Sequence, residues 1–189
     1  MKKNICVYCS SSNYLNEKYY KLAQALGEKI AINGYNLVYG GTTVGCMGQV
    51  ASSVIHNGGK VLGVIPQRIA DAGLTNPNLA KTIITKDMRE RKATMEKNSD
   101  AFIAIPGGFG TFEEIFEIIV GKQLGYHKKP IIFLNVDNFY NPLFQMFENL
   151  YSENFAKEEY RSLYHITEDI NDIFDYLADY KEIELVHKW

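Results

Sequence analysis

Two hydrophobic periods alternate along the chain. NICVYC at 4–9 is a short β-rich run, whereas over 14–33 the apolar Leu15, Tyr19, Leu22, Leu26 and Ile30 return every three or four residues. The second spacing is that of a helix burying one face, and Gly34 supplies its stop. The unit then recurs. YNLVYG (35–40) precedes a helical stretch at 47–57, and KVLGVIP (60–66) follows it. From Gln67 to Ala80 the periodicity fails, and Asp71, Gly73, Asn76 and Pro77 favour turns; a loop of this length often forms a lid or a wall of a site. Beyond it, KTIIT (81–85), a helix over 86–98, AFIAIP (101–106) and a helix from about Thr111 to Leu124 follow in turn. The pattern then predicts KPIIFLN (129–135), a helix near 143–150, a short strand near 162–165 and a last helix near 168–180.

Strands that read as unbroken apolar runs, each followed by a helix, indicate a parallel sheet covered on both faces. The expected class is therefore α/β: a Rossmann-like open parallel sheet of about six or seven strands. At 189 residues the chain is expected to form one domain, 1–189, with a sizeable core. In such sheets ligands bind beyond the carboxyl ends of the strands, so each strand-to-helix junction is a candidate site.

Composition narrows the field. An apolar share of 46% and a formal net charge of -2 argue against disorder and against a nucleic-acid protein driven by bulk charge. The opening MKKNICVYC has no long apolar segment and no run approaches about 18 apolar residues, so a soluble cytoplasmic protein without membrane contact is expected. Cys6 and Cys9, three apart on a strand, point to opposite faces, and no second cysteine pair completes a metal site. The four histidines form no close pair, so no metal is expected.

The junctions carry the candidate chemistry. At the first, Ser10, Ser11 and Ser12 offer hydroxyls to a phosphate or sugar, or simply cap a turn. At the second, YGGTTVGCMG places Gly40, Gly41, Gly45 and Gly48 where backbone can approach a ligand and N–H groups can face an anion. It lacks the dinucleotide fingerprint's position and the lysine of a P-loop. At the fourth, MRERK puts Met88 and Lys92 on one helix face and Arg91 with Met95 on the next, where the Arg91 fork could clamp a phosphate or a charged helix face could simply meet solvent. At the fifth, PGGFGTFEE combines Gly107, Gly108, Gly110 and Thr111 with two acids, Glu113 and Glu114. Thr111 and Glu114 stand at capping-box spacing, which is one reading; an acid addressed to another part of a phosphorylated ligand is the other.

PGGFGTFEE, MRERK and YGGTTVGCMG together resemble the LOG ("lonely guy") family of cytokinin-activating phosphoribohydrolases, many of which carry the older label of possible lysine decarboxylases. The likeness runs from Cys6 to about Tyr140 and includes GVIP (63–66), SDAFIAIPGG (99–108) and QLGYHKKP (123–130). It implies a Rossmann-like homodimer that hydrolyses the N-glycosidic bond of adenine-type nucleoside 5'-monophosphates, N6-prenylated ones included, to free base and ribose 5-phosphate. It also implies that Arg91 and Glu114 are the catalytic pair and that Gly107, Gly108, Gly110 and Thr111 cradle the phosphate. Met88 and Lys92 would line the nucleotide site, with Glu113 the lesser acid. No cofactor is expected: decarboxylation of lysine needs an electron sink such as a pyridoxal group, and nothing in the chain resembles its site. The chain departs from the family pattern at Thr42, where many relatives have a third glycine, at Ser10, where they have CGSS, and at Gly121, where they commonly have tryptophan. A non-catalytic nucleotide carrier and a ribosyl transferase are the competing readings.

Overall fold

The computed structural model describes residues 3–182. Seven strands form a single parallel sheet: β1 (Asn4–Tyr8), β2 (Asn36–Tyr39), β3 (Val61–Pro66), β4 (Lys81–Thr85), β5 (Ala101–Ala104), β6 (Ile131–Leu134) and β7 (His165–Thr167). Between and after them run α1 (Glu17–Ile32), α2 (Gly45–His56), α3 (Gln67–Asp71), α4 (Met88–Lys97), α5 (Phe109–Gln123), α6 (Asn141–Ser152) and α7 (Ile170–Asp179). The strand order β4-β3-β2-β1-β5-β6-β7 reverses direction between β1 and β5. The loops leaving these two neighbours diverge to opposite faces and open a crevice there. No helix among the described residues is long and apolar enough to cross a membrane.

Alternation along each strand builds two cores. Ile5, Val7 and Cys9 face one side with Leu37, Tyr39 and Ile103, under α1, α2 and α7. Cys6, Tyr8, Val38, Phe102 and Phe133 face the other, under α4, α5 and α6. Cys6 and Cys9 thus lie on opposite faces, and all three cysteines are buried and unpaired.

Local signals set most boundaries. Asn16 caps α1 by accepting from the Lys18 N–H. At the far end Gly34 turns left-handed (φ 79°), its N–H reaching Ala31 and that of Tyr35 reaching Ile30, so two orphan carbonyls are satisfied. Three expectations need correction. The first five residues of the aperiodic segment form α3, and Thr75 further along makes an antiparallel bridge to Thr42, so this segment is a wall rather than a free lid. Helix α5 begins at Phe109, not Thr111. The strand expected at 162–165 is displaced to His165–Thr167, because Glu158–Leu163 form a 3₁₀ turn. The apolar Tyr160 and Leu163 are both buried there, at the spacing of three that eclipses side chains in a 3₁₀ helix.

The C-terminal turn of α5 is anchored by buried polar groups. The Lys122 amine donates to the Leu163 carbonyl at 2.8 Å, and burial lowers its pKa to about 8. A side chain added at Gly121 would meet the His127 ring at 3.4 Å, so imidazole covers this face of the helix. His127 Nε2 bonds to the Ile118 carbonyl (2.9 Å) and Nδ1 accepts from the Lys129 N–H (3.2 Å), a pattern that requires the neutral ring protonated on Nε2.

Burial, above all, depresses the His127 pKa to about 4. The unfolded chain therefore takes up this proton first as pH falls. Stability is complete above the ordinary value near 6.5 and should be lost toward pH 4, by on the order of 3 kcal/mol from this residue. Urea denaturation across that window should show a shallower decline in His127→Gln than in the wild type; identical slopes would remove the assignment.

Candidate functional site

A cleft of about 510 Å³ opens at the carboxyl edge of the sheet beside the β1/β5 reversal. Its walls are the loop after β1 (Cys9 to Ser12), the turn after β2 (Gly40, Thr42, Val44), Met47 of α2, Ile69 and Leu74 from the segment after β3, and the N-terminal parts of α4 and α5.

Helix α4 brings Arg91 into it. Asp87 caps the helix through the Glu90 N–H (2.8 Å), and the Glu90 carboxylate returns to the Lys86 N–H (2.8 Å). With the first turn fixed in this way, Arg91 and Met95 fall on the buried face. The Arg91 Nε donates to the Val64 carbonyl of β3 (3.1 Å), and Nη1 donates to Glu114 Oε1 (2.6 Å). Both side chains are 9% exposed. Two of the guanidinium's donors are thus held by the protein's own carbonyl and carboxylate, while Arg91 still lines the cleft. Gly40 makes room for it: a Cβ there would stand 2.3 Å from Nη2.

Helix α5 brings Glu114. Its N-cap is Gly108, in extended conformation and without a side-chain cap. The first bond into the helix runs from the Phe112 N–H to the Gly108 carbonyl, so the preceding N–H groups are the donors that every helix start leaves for a ligand or solvent. Thr111 sits inside the first turn, not at the cap. The capping-box reading of Thr111 and Glu114 therefore fails: Glu114 is the sixth residue of α5, past that turn, and turns to Arg91. Burial raises the Glu114 pKa above the ordinary carboxylate value, although the charge of Arg91 and its hydrogen bond pull it back.

Of the residues singled out in the sequence, Ser11, Met88, Arg91, Gly108, Gly110, Thr111, Glu113 and Glu114 line the cleft. Lys92, Gly41, Gly45 and Gly107 do not. Lys92 is held by Glu113 and Glu117 of α5, which outweigh the burial opposing its charge and raise its pKa. Gly45 (φ 59°) is a packing residue. A Cβ on it would stand 2.6 to 2.8 Å from the backbone of Ser10, Ser11 and Ser12, and its N–H bonds Asn13 Oδ1, so it seats the first loop on α2. Gly107 leaves room for the Thr111 side chain, and Gly41 lies over β3. Ile69 and Leu74 were missed because they lie in a stretch without period; nothing local marks them as lining. Gly40, the first glycine of the second junction, also lines the cleft. Cys9 also lines the cleft, but burial keeps its thiol protonated.

Comparison with known proteins places this geometry. A family model described as "Possible lysine decarboxylase" matches residues 47–177. LOG5 of Arabidopsis thaliana, named a cytokinin riboside 5'-monophosphate phosphoribohydrolase, is 39% identical over 181 residues, 96% of this chain and 79% of that protein. LOG7 of the same plant, with the same name, is 38% identical over 95% of this chain and 82% of its own length. Among solved structures, the molybdenum cofactor binding protein of Rippkaea orientalis superposes with a TM-score of 0.72 at 22% identity, covering 94% of this chain and 96% of that one. The Moco carrier protein of Chlamydomonas reinhardtii also gives 0.72, at 21% identity and the same coverage. At such identities these structures speak for the fold alone. The sequence relatives go further: the chain belongs to the LOG family of cytokinin riboside 5'-monophosphate phosphoribohydrolases, whose family model bears the possible lysine decarboxylase description.

Proposed function

We propose that this protein hydrolyses the N-glycosidic bond of adenine-type nucleoside 5'-monophosphates, N6-prenylated ones included, to free base and ribose 5-phosphate. The observation that carries the reading is the buried Arg91–Glu114 pair beside a glycine-capped helix start in one cleft. The names of the sequence relatives support the same reaction.

The 5'-phosphate is received by the N–H groups at the start of α5, with Gly108, Gly110 and the Thr111 hydroxyl around it. That remote anchor fixes C1' against Glu114. As the C1'–N bond lengthens, its electron pair leaves with the base and positive charge grows on the ribose, which the carboxylate stabilises. Water then adds to C1', and its proton balances the departing base. Arg91 is permanently cationic and already donates to Glu114, so it is a positioning residue for the acid. A carrier has no use for an acid held in this way. A transferase would present a second acceptor in place of water, and no feature of the cleft selects one.

We also propose a homodimer. Phe116, Val120 and the C-cap Leu124 recur every four residues along α5 and its end and are exposed, an apolar stripe that a second copy would cover. The three unpaired cysteines accord with a cytoplasmic, reducing setting.

Glu114→Gln should lower turnover by about 10²- to 10⁴-fold while nucleotide binding persists, with folding checked by circular dichroism. Because the Glu114 carboxyl titrates above its ordinary value and must be ionised to act, the acid limb of wild-type kcat/KM should lie above pH 4.5. Unchanged turnover in the variant would sink the role. Gly40→Ala should displace the Arg91 guanidinium and cut kcat by at least about tenfold, since a misplacement of the order of 1 Å can cost about 10²-fold; a fully active Gly40→Ala would show that Arg91's seat is dispensable. For the dimer, light scattering should return twice 21.5 kDa for the wild type and 21.5 kDa for Val120→Glu/Leu124→Lys. A monomeric wild type refutes it.

A further inference from the structure

The turn after β2 is clamped to the segment after α3 by a closed set of hydrogen bonds. The Asn76 N–H donates to the Gly41 carbonyl (2.9 Å) and its side-chain amide donates to the Tyr39 hydroxyl (3.1 Å). The Tyr39 hydroxyl donates in turn to the Thr42 carbonyl (3.1 Å), and Asn76 Oδ1 accepts from the Asn78 N–H (3.0 Å). The Thr42–Thr75 bridge completes the clamp. One polar atom at its centre is left out: Thr42 Oγ1 is buried and has no hydrogen-bond partner among the described residues. Thr42 as a whole is 5% exposed and lines the cleft. A buried hydroxyl without a partner is unfavourable for the free protein, so this hydroxyl calls for another role.

Its position says which part of a ligand it meets. The proposed phosphate seat, at the start of α5, follows β5, and β2 lies two strand positions away across β1. At ordinary strand spacing that is about 10 Å, comparable with the reach of a nucleoside monophosphate from phosphate to base. The wall on this side is apolar, made by Val44, Met47, Ile69 and Leu74, and suits a flat aromatic ring. Thr42 stands in that wall with its orphan hydroxyl turned inward, away from the cleft surface. Rotation about its Cα–Cβ bond exchanges methyl and hydroxyl, turning the oxygen toward the cleft.

We propose that the Thr42 hydroxyl is a recognition contact for the base of the bound nucleotide, hydrogen-bonding a polar atom of the purine edge that the apolar wall cannot satisfy. The proposal rests on the function proposed above, in that the ligand is a nucleoside monophosphate seated by its phosphate. It adds a specificity-determining residue that neither touches phosphate nor takes part in bond cleavage.

Three measurements on wild type, Thr42→Val and Thr42→Ser test it together. In Thr42→Val, kcat/KM for AMP should fall about tenfold, the scale of one hydrogen bond made only to ligand, and Thr42→Ser should stay close to wild type. The inhibition constant of ribose 5-phosphate, which has no base, should be the same in all three. Tm of Thr42→Val should equal or exceed that of wild type, because an isosteric methyl replaces a hydroxyl with no partner. Equal kcat/KM in wild type and Thr42→Val would overturn the proposal. So would a parallel loss of ribose 5-phosphate affinity, or a lowered Tm, which would show a structural bond to that oxygen. Should the wild type release no base from any nucleoside monophosphate, the hydrolase reading fails by itself, and calorimetric affinities then decide on Thr42. Weaker AMP binding in Thr42→Val with ribose 5-phosphate binding unchanged sustains the contact, and equal AMP binding ends it.

Discussion

A charge pair taken out of water sets the terms for this structure. Arg91 and Glu114 meet at 2.6 Å with 9% of each side chain exposed. Burying two such charges costs several kcal/mol per ion, and their attraction repays this only when the geometry is good and the remaining hydrogen-bonding groups are occupied. The surroundings meet part of that demand. Val64 on β3 supplies a carbonyl for Nε, Gly40 after β2 leaves room for Nη2, and the capped first turn of α4 aims the side chain inward. Two strands and two helices thus converge on one ion pair, which stabilises little by itself and fixes where the acid stands.

The same crevice owes its remaining features to close backbone approach. Gly45 seats the serine loop on α2, and Gly107 lets Thr111 fold against the loop before α5. These glycines bring donors to the cleft without lining it themselves. Lys92 makes a similar contribution from outside, bridging Glu113 and Glu117 on α5. With Glu113 drawn toward Lys92, the two adjacent acids are divided: one faces a solvent-edge cation, the other the buried guanidinium.

Legibility tracked how local each signal was. The strand runs, the α1 stop at Gly34 and the opposite facing of Cys6 and Cys9 could all be read from spacing, because side-chain direction within a strand or helix is fixed by its period. The parallel class followed from strands apolar on both faces. Boundaries failed where two local rules competed. Thr111 and Glu114 satisfy the capping-box spacing, but Gly108 can start the helix earlier, and a buried arginine offers Glu114 a stronger partner than a backbone N–H. Leu163 similarly passed for a strand residue, although its spacing of three from Tyr160 served a 3₁₀ turn. The glycine motifs correctly marked the cleft's rim, yet could not separate the glycines that border it from those that hold its loops together.

The sequence by itself determined the class of fold, the junctions worth examining and, through its motif likeness, Arg91 and Glu114 as the pair of interest. These are properties of period and of residue type at short range. Tertiary structure alone decided that Arg91 holds Glu114, that Lys92 pairs with Glu113 and Glu117, that Ile69 and Leu74 form the cleft's wall and that the Thr42 hydroxyl is buried without a partner beside it. Each depends on which strand lies beside which. The order β4-β3-β2-β1-β5-β6-β7 brings residues 23 positions apart into a hydrogen bond across the crevice, and no local pattern encodes that adjacency.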